Sequence, residues 1–369
     1  MLRTGANPAV RQDLEVLVRG FGMHSIDNVG WLEKERPKCG PLDAIVRPTI
    51  IAPCSSDIHV AHGGSGPKEN LILGHEAVGV VEEVGPYVRR FKPGDLVAVP
   101  CVTPNWLSRG VQNFRSFSHD RGPFGSFKFV GEKDGVMAEY FHVNQADPNL
   151  AHIHDGVAPE AALMTVDMMS TGFHGVELAD VGIGEKVVVI GIGPIGLMAI
   201  AGSALRGASQ IIGVGTRPKA REVAFEYGAS QVISYKDGPL DEQVMDLTSG
   251  KGAHKVIVAG GGPQAFAEAI RMTRPNGVIS NVNFFDINDK IAIAPLDWGL
   301  GMADKDIRGS FCPGGGKRIQ RLINMIEYKR IDPTKMISHR LHGMDAIEEA
   351  FNMMDGKAPD LIKPVVYLD

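Results

Sequence analysis

The run Lys186-Val187-Val188-Val189-Ile190-Gly191-Ile192-Gly193-Pro194-Ile195-Gly196 decides how the second half of the chain folds. A stretch so rich in valine and isoleucine reads as a buried strand. Three glycines follow at the spacing G-x-G-x-x-G, and Pro194 suits a first helical turn. Between a strand and a helix, the first glycine permits a tight turn and the second lets backbone approach a pyrophosphate. The third lets helix and strand pack closely. The helix start adds unpaired N–H groups and a dipole that favours an anion. Gly191, Gly193, Pro194, Ile195 and Gly196 are therefore expected to cradle a dinucleotide. Residues 187–205 carry no charge and are long enough to test as a membrane span. Their glycines and proline would break such a helix, so a strand, a turn and a helix are expected, and no membrane.

Outward from this motif the alternation repeats. QIIGV is followed by RPKAREVAFEYG, KVIVAG by QAFAEAIRMT, and GVISNVNF closes the series. Alternating strands and helices imply an α/β fold, a doubly wound parallel sheet with helices on both faces. The second strand runs into Gly213-Val214-Gly215-Thr216-Arg217-Pro218. A site selective for NAD would place a carboxylate near position 215 to bond the ribose 2′-hydroxyl. Here Gly215 removes any repulsion against a 2′-phosphate, Thr216 offers a hydroxyl, and Arg217 can meet the phosphate with a forked, charge-assisted contact. Tyr235, at the end of the next strand-like run, is placed to flank the adenine. NADP is expected as the cofactor; the bland alternative for Arg217 is a solvated charge at a helix start.

The first half has a different texture. AIVRPTIIAP, EAVGVVEEVG and DLVAVPC read as short strands, with KPGD a turn before the last of them. No long helical period appears, and residues 102–135 read as an irregular surface excursion. From Ala158, APEAALMTVDMMSTGFHGVEL has helix-forming stretches. After Leu300 one amphipathic helix (KRIQRLINMIEYKRI) and a last strand (IKPVVYL) are expected. The chain has 369 residues, 44% hydrophobic, with net charge −5 and 22% charged residues. Length allows two domains, and the absence of a basic block argues against a nucleic-acid partner. Its four cysteines, Cys39, Cys54, Cys101 and Cys312, include no CxxC pair, which disfavours a disulfide framework. With Asp13 and Glu15 near the start and no apolar signal core, a reducing, cytoplasmic setting is expected.

Pro53-Cys54-Ser55-Ser56-Asp57-Ile58-His59 crowds a thiol, two hydroxyls, a carboxylate and an imidazole into seven positions. Leu73-Gly74-His75-Glu76-Ala77-Val78-Gly79 sets a polar pair between apolar runs. A catalytic zinc needs three protein ligands and an open position, so Cys54 and His75 are candidates. His62, His119, His152, His154, His174 and His339 read as ordinary surface or core histidines.

GHEAVG, the CxSDxH spacing, KPGD and GIGPIG together resemble the zinc-dependent medium-chain alcohol dehydrogenases, from about Val18 onward. The resemblance is closest to the NADP-dependent secondary alcohol dehydrogenase branch, which shares runs similar to PCSSDIH, ILGHEAVG, DMMSTGFHG and DLIKPVV. It implies a β-rich, GroES-like catalytic domain at residues 1–170, completed by residues 301–369, around a Rossmann NADP-binding domain at 171–300. It implies Cys54, His75 and Asp167 as zinc ligands, with Asp167 standing where many relatives have cysteine. Glu76 would lie beside the metal and join or leave its shell, and Asp57 would orient His75. Ser56 would exchange a proton with the substrate oxygen and His59 would relay it.

Many relatives carry four closely spaced cysteines for a structural zinc; residues 102–135 contain none. One catalytic zinc per subunit and no structural zinc are therefore expected. Cys39 and Cys312 would be ordinary thiols, and Cys101, Trp106, Phe127 and Leu300 would shape the pocket. The implied reaction interconverts secondary alcohols and ketones, in a homotetramer. Alternatives are a polyol or threonine dehydrogenase, a zinc-free quinone reductase, or a non-catalytic NADP-binding protein.

Overall fold

The computed structural model describes residues 17–112, 125 and 127–368. His119, and the extension before Val18 apart from Leu17, lie outside the described residues.

The valine run lies at the centre of a six-stranded sheet in which every neighbouring pair is parallel. Its spatial order is Gln231–Ile233, Gln210–Val214, Lys186–Ile190, Ala253–Val258, Thr273–Asn281 and Asp306–Gly309. Alternate side chains of the central strand enter two different cores. Val187 and Val189 pack with Leu197 and Ile200 of the helix Pro194–Leu205, and Val188 and Ile190 join Phe266 and Ile270 of the helix Pro263–Met272. Both faces are thus covered, as a parallel sheet requires. Strand order reverses at Lys186–Ile190, and the glycine turn sits at its carboxyl end, where such sheets open a crevice for a ligand. Gly191 has φ +90°, and a Cβ on Gly196 would lie 1.7 Å from the carbonyl oxygen of Gly191.

The first half forms mainly antiparallel sheet. Ala44–Ile51 pairs with Ala77–Val84, Phe141–Val143 and Lys363–Tyr367, so the last strand of the chain returns to seal the first sheet. Leu96–Val99, Ala151–His152 and Ile337–His342 extend it, while Asn28–Glu35, Leu17–Ser25 and Leu71–Ile72 make a separate three-stranded sheet. Between the halves runs a nearly continuous helical segment: Pro159–Met164, a π-helical turn at Thr165–Met169, and Ser170–Ala179. Met164, Met168 and Phe173 from this segment share a core with Ile50 and Val78 on one side and Val187 on the other.

Four expectations change. Ser55–Ala61 is a short helix within a half expected to be strand and loop; seven residues are too few to show a helical period. Residues 102–135 are not simply a surface excursion, because Thr103, Val111, Phe129 and Val130 are buried, although 113–124 and 126 lie outside the described residues. The tail has a second amphipathic helix, Ala346–Asp355, which buries Ile347, Ala350 and Phe351. The parallel sheet also extends past residue 300, since its sixth strand is Asp306–Gly309. That strand is short and exposed, so no apolar alternation marks it.

Gly196→Ala is expected to force the turn and helix apart and to cost about 3 kcal/mol or more. Urea denaturation together with an NADPH titration checks this; a variant with both unchanged would show that the close approach is dispensable.

Candidate active site and metal centre

Three separate elements deliver three donors to one buried point. Cys54 caps the start of the helix Ser55–Ala61, His75 follows the glycine turn that leads into the strand Ala77–Val84, and Asp167 projects from the middle of the π-helical turn. A π turn inserts an extra residue into the helical register, a feature that recurs at functional sites. Cys54 Sγ lies 3.5 Å from Asp167 Oδ2, and His75 Nε2 lies 3.8 Å from the same oxygen. Ser56 Oγ is 3.3 Å from both Cys54 Sγ and His75 Nε2. With Glu76 included, the four ligand atoms all lie within 4.8 Å of one another, and all four residues are buried.

Asp57, fully buried, ties two of these elements together. Its Oδ2 accepts the Cys54 backbone N–H (2.9 Å), while Oδ1 accepts the Gly74 N–H (3.1 Å) and the His75 Nδ1–H (3.1 Å). That network assigns a proton to Nδ1 and leaves Nε2 as the nitrogen that faces the cluster. Burial pushes the Asp167 carboxyl up, but His75 and the Thr171 hydroxyl, which donates to Oδ1 at 2.7 Å, outweigh it and hold the group well below its usual range. For His75 burial acts downward, and Asp57, Asp167 and Cys54 together push it well above its ordinary value.

Beneath the cluster lies a buried ion pair. Lys363 Nζ donates to Glu76 Oε1 at 2.7 Å and to the Pro53 carbonyl at 2.8 Å. Burial raises Glu76 to about 7 against the pull of that ammonium. Glu76 Oε2 is buried with no hydrogen-bond partner. A buried, unpaired carboxylate oxygen is costly unless a cation can meet it. Lys363 was not expected from the sequence, where Ile362-Lys363-Pro364 reads as the start of the final strand. A lysine at 1% side-chain exposure paired with a buried glutamate is visible only in three dimensions.

His59 lies one turn after Ser56 on the same helix face. Its Nδ1 is 2.7 Å from Asp286 Oδ1, and its side chain is 41% exposed. Asp286 also escaped the sequence reading, though it follows the carboxyl end of a parallel strand, where ligand-facing residues collect. Phe127 meets His75 edge to face (5.0 Å between centroids) and stacks on Phe311. Cys101 and Cys312 are packed together with these rings. Trp106 instead bonds Asn149 and lies against Gly315, and Leu300 is 68% exposed.

At the nucleotide crevice, a Cβ on Gly193 would sit 3.8 Å from Arg217 Nη2. Arg217 Nη1 donates to the Leu361 carbonyl, and burial lowers the pKa of the guanidinium. Thr216 Oγ1 and Tyr235 Oη are 3.4 Å apart, and Tyr235 is 59% exposed. Next to them an open cavity of about 550 Å³ is lined by Thr216, Arg221, Ser234 and Lys236 among others, and Arg221 and Lys236 add two cations that the sequence reading left out. Gly215 has a packing reason too: a Cβ there would meet the Ile192 side chain at 2.2 Å.

A dinucleotide crevice and a buried sulfur–nitrogen–oxygen cluster on one chain define a metal-assisted dehydrogenase. Residues 40–155 match the alcohol dehydrogenase GroES-like domain, and residues 194–328 match the zinc-binding dehydrogenase domain. The chain is 52% identical over 353 residues to the NADP-dependent isopropanol dehydrogenase of Thermoanaerobacter brockii, covering 95% of this chain and 100% of that one. It is 46% identical over 350 residues to the enzyme of the same description from Entamoeba histolytica, covering 95% of each. Among solved structures, zinc-dependent alcohol dehydrogenase 2 from Streptococcus pneumonia superposes with a TM-score of 0.86 at 26% identity, over 95% of this chain and 99% of the other. The chain belongs to the zinc-binding alcohol dehydrogenase family.

Lys363→Met leaves Glu76 buried without its counter-charge and is expected to cost about 3–5 kcal/mol, with part recovered in Glu76→Gln/Lys363→Met. Urea denaturation of the three proteins measures both quantities; equal stability throughout would remove the ion pair from the account.

Proposed function

We propose that this chain is an NADP-dependent secondary alcohol dehydrogenase that interconverts small secondary alcohols and ketones of the 2-propanol/acetone type. The observation that carries the reading is the convergence of Cys54, His75 and Asp167, buried and from distant elements, beside the Ser56 hydroxyl. The names of the relatives support the substrate class and the cofactor.

The donor set fits zinc: thiolate, imidazole nitrogen and carboxylate are all accepted, and three protein ligands leave a position open. Cys54, His75 and Asp167 would hold it, and Glu76, with its unpartnered Oε2, would lie ready beside it. When bound, zinc supplies Lewis-acid polarisation of the substrate oxygen and the nicotinamide supplies or accepts the hydride.

The protein's own side chains do the rest. Asp57 fixes the direction of the His75 ring and anchors the backbone of Cys54. Ser56 Oγ exchanges a proton with the substrate oxygen, and His59 carries it to solvent. Asp286 holds His59 through Nδ1, which leaves Nε2 as the exchanging nitrogen. In the crevice, the backbone from Gly191 to Gly196, Pro194 and Ile195 included, receives the pyrophosphate. Gly215 leaves the 2′-phosphate unopposed, while Thr216 and the Nη2 side of Arg217 bind it and Tyr235 covers the adenine. We further propose one resident zinc per subunit with no structural zinc, a homotetramer, and a cytoplasmic setting, as the family resemblance implies. No helix among the described residues is long and apolar enough to cross a membrane.

Cys54→Ala, His75→Ala and Asp167→Asn are expected to abolish 2-propanol oxidation while NADPH binding, read by fluorescence, persists. Ser56→Ala should lower kcat by about 10²–10⁴-fold. Full turnover in any folded ligand variant would refute the assignment. Arg217→Ala should narrow the preference for NADPH over NADH by about 10- to 100-fold. An unchanged ratio of kcat/KM for the two cofactors would return Arg217 to the role of a structural charge.

A further inference from the structure

The two oxygens of Asp167 face different cysteines. Oδ2 lies 3.5 Å from Cys54 Sγ in the cluster above. Oδ1 lies 3.5 Å from Cys101 Sγ, which in turn is 3.7 Å from Cys312 Sγ. Cys101, Cys312 and Asp167 are all buried, and their ligand atoms lie within 4.8 Å of one another. A carboxylate oxygen and a buried sulfur at the same separation thus occur twice around one side chain.

These distances match the edges of a coordination tetrahedron. With metal–sulfur bonds of about 2.3 Å and metal–oxygen bonds of about 2.0 Å, the sulfur–sulfur edge is about 3.8 Å and the sulfur–oxygen edge about 3.5 Å. The backbone holds the groups in place. The Cys101 N–H donates to the Val166 carbonyl in the π turn (3.2 Å), and the Gly315 N–H donates to the Val102 carbonyl (3.1 Å), which pins the loop carrying Cys312. Val102, Phe127 and Phe311 pack around the thiols and keep water away. A disulfide would require the sulfurs to close from 3.7 Å to about 2.05 Å, whereas a cation between them requires little movement.

We infer that Cys101, Cys312 and Asp167 Oδ1 form a second site, for a thiophilic divalent cation such as Zn²⁺, that fills when such a cation is in excess. The thiol pair stands on its own geometry; only the sharing of Asp167 with a first ion rests on the proposed function. Binding replaces the two thiol protons, which leave to solvent, and involves no redox change. An ion here draws charge from Asp167 and occupies the wall beside Phe127, so excess zinc inhibits turnover.

Metal-stripped enzyme titrated with Co²⁺ under reducing conditions reports both sites through thiolate-to-cobalt absorption and bound cobalt counted after gel filtration. NADPH binding serves as the check on folding. Wild type is expected to bind two ions per subunit, Cys101→Ala/Cys312→Ala one, and His75→Ala one with the thiolate absorption retained. Inhibition by excess Zn²⁺ should be present in wild type and lost in the double variant. One ion in wild type and one in the double variant overturns the inference and leaves the proposed function standing. One ion in wild type that the double variant loses and His75→Ala keeps supports the thiol site and removes the proposed one. Disappearance of two thiols on treatment with hydrogen peroxide, with no second cobalt bound before treatment, also overturns the inference in favour of a disulfide.

Discussion

Asp57 is a fully buried acid that accepts three hydrogen bonds. Its bonds join two parts of the chain: the cap of the Ser55–Ala61 helix, and the turn that carries the Gly74 backbone and the His75 ring. Without it, Cys54 and His75 would belong to two loops with no shared reference. With it, the thiol and the imidazole have a fixed separation before any ion arrives. Hydrogen bonds to an ionised group are stronger than neutral ones, and a low dielectric strengthens them further.

The two halves of the chain also hold one another at polar points. Asp286 follows a strand of the parallel sheet and bonds His59 on the first half's helix. Arg217, at the start of a helix on that sheet, bonds the carbonyl of Leu361, just before the strand that returns to the first half. Both contacts involve residues assigned to chemistry or cofactor. Any shift between the halves therefore moves the proposed proton route at His59 and the proposed phosphate contact at Arg217 together.

The parallel sheet was legible because its strands are buried on both faces and so read as apolar runs, with Gly191 and Gly196 marking the turn. Cys54 and His75 could be singled out because short local patterns surround them, and Glu76 and Asp167 because the family resemblance marks their places. What escaped depends on distance in space. Lys363, Asp286 and the Cys101–Cys312 pair lie 287, 227 and 211 residues from the partners that give them meaning. Nothing in KPVVY announces a buried ammonium, and Cys312 alone looks like any other thiol. The strand Asp306–Gly309 escaped for a different reason, being exposed along its whole length.

The π-helical turn at Thr165–Met169 has a consequence for how this chain can vary. Because it holds one residue more than an α-helical turn, the direction of Asp167 is set by residue count as well as by residue type. Each residue of an α-helix advances the side-chain direction by about 100°. Deleting one position between Ala162 and Ser170 would restore regular winding and swing the carboxylate away from both sulfur groups, even with every proposed ligand retained. In this segment the spacing is under tighter constraint than the neighbouring methionines, which could be exchanged for other apolar residues of similar volume.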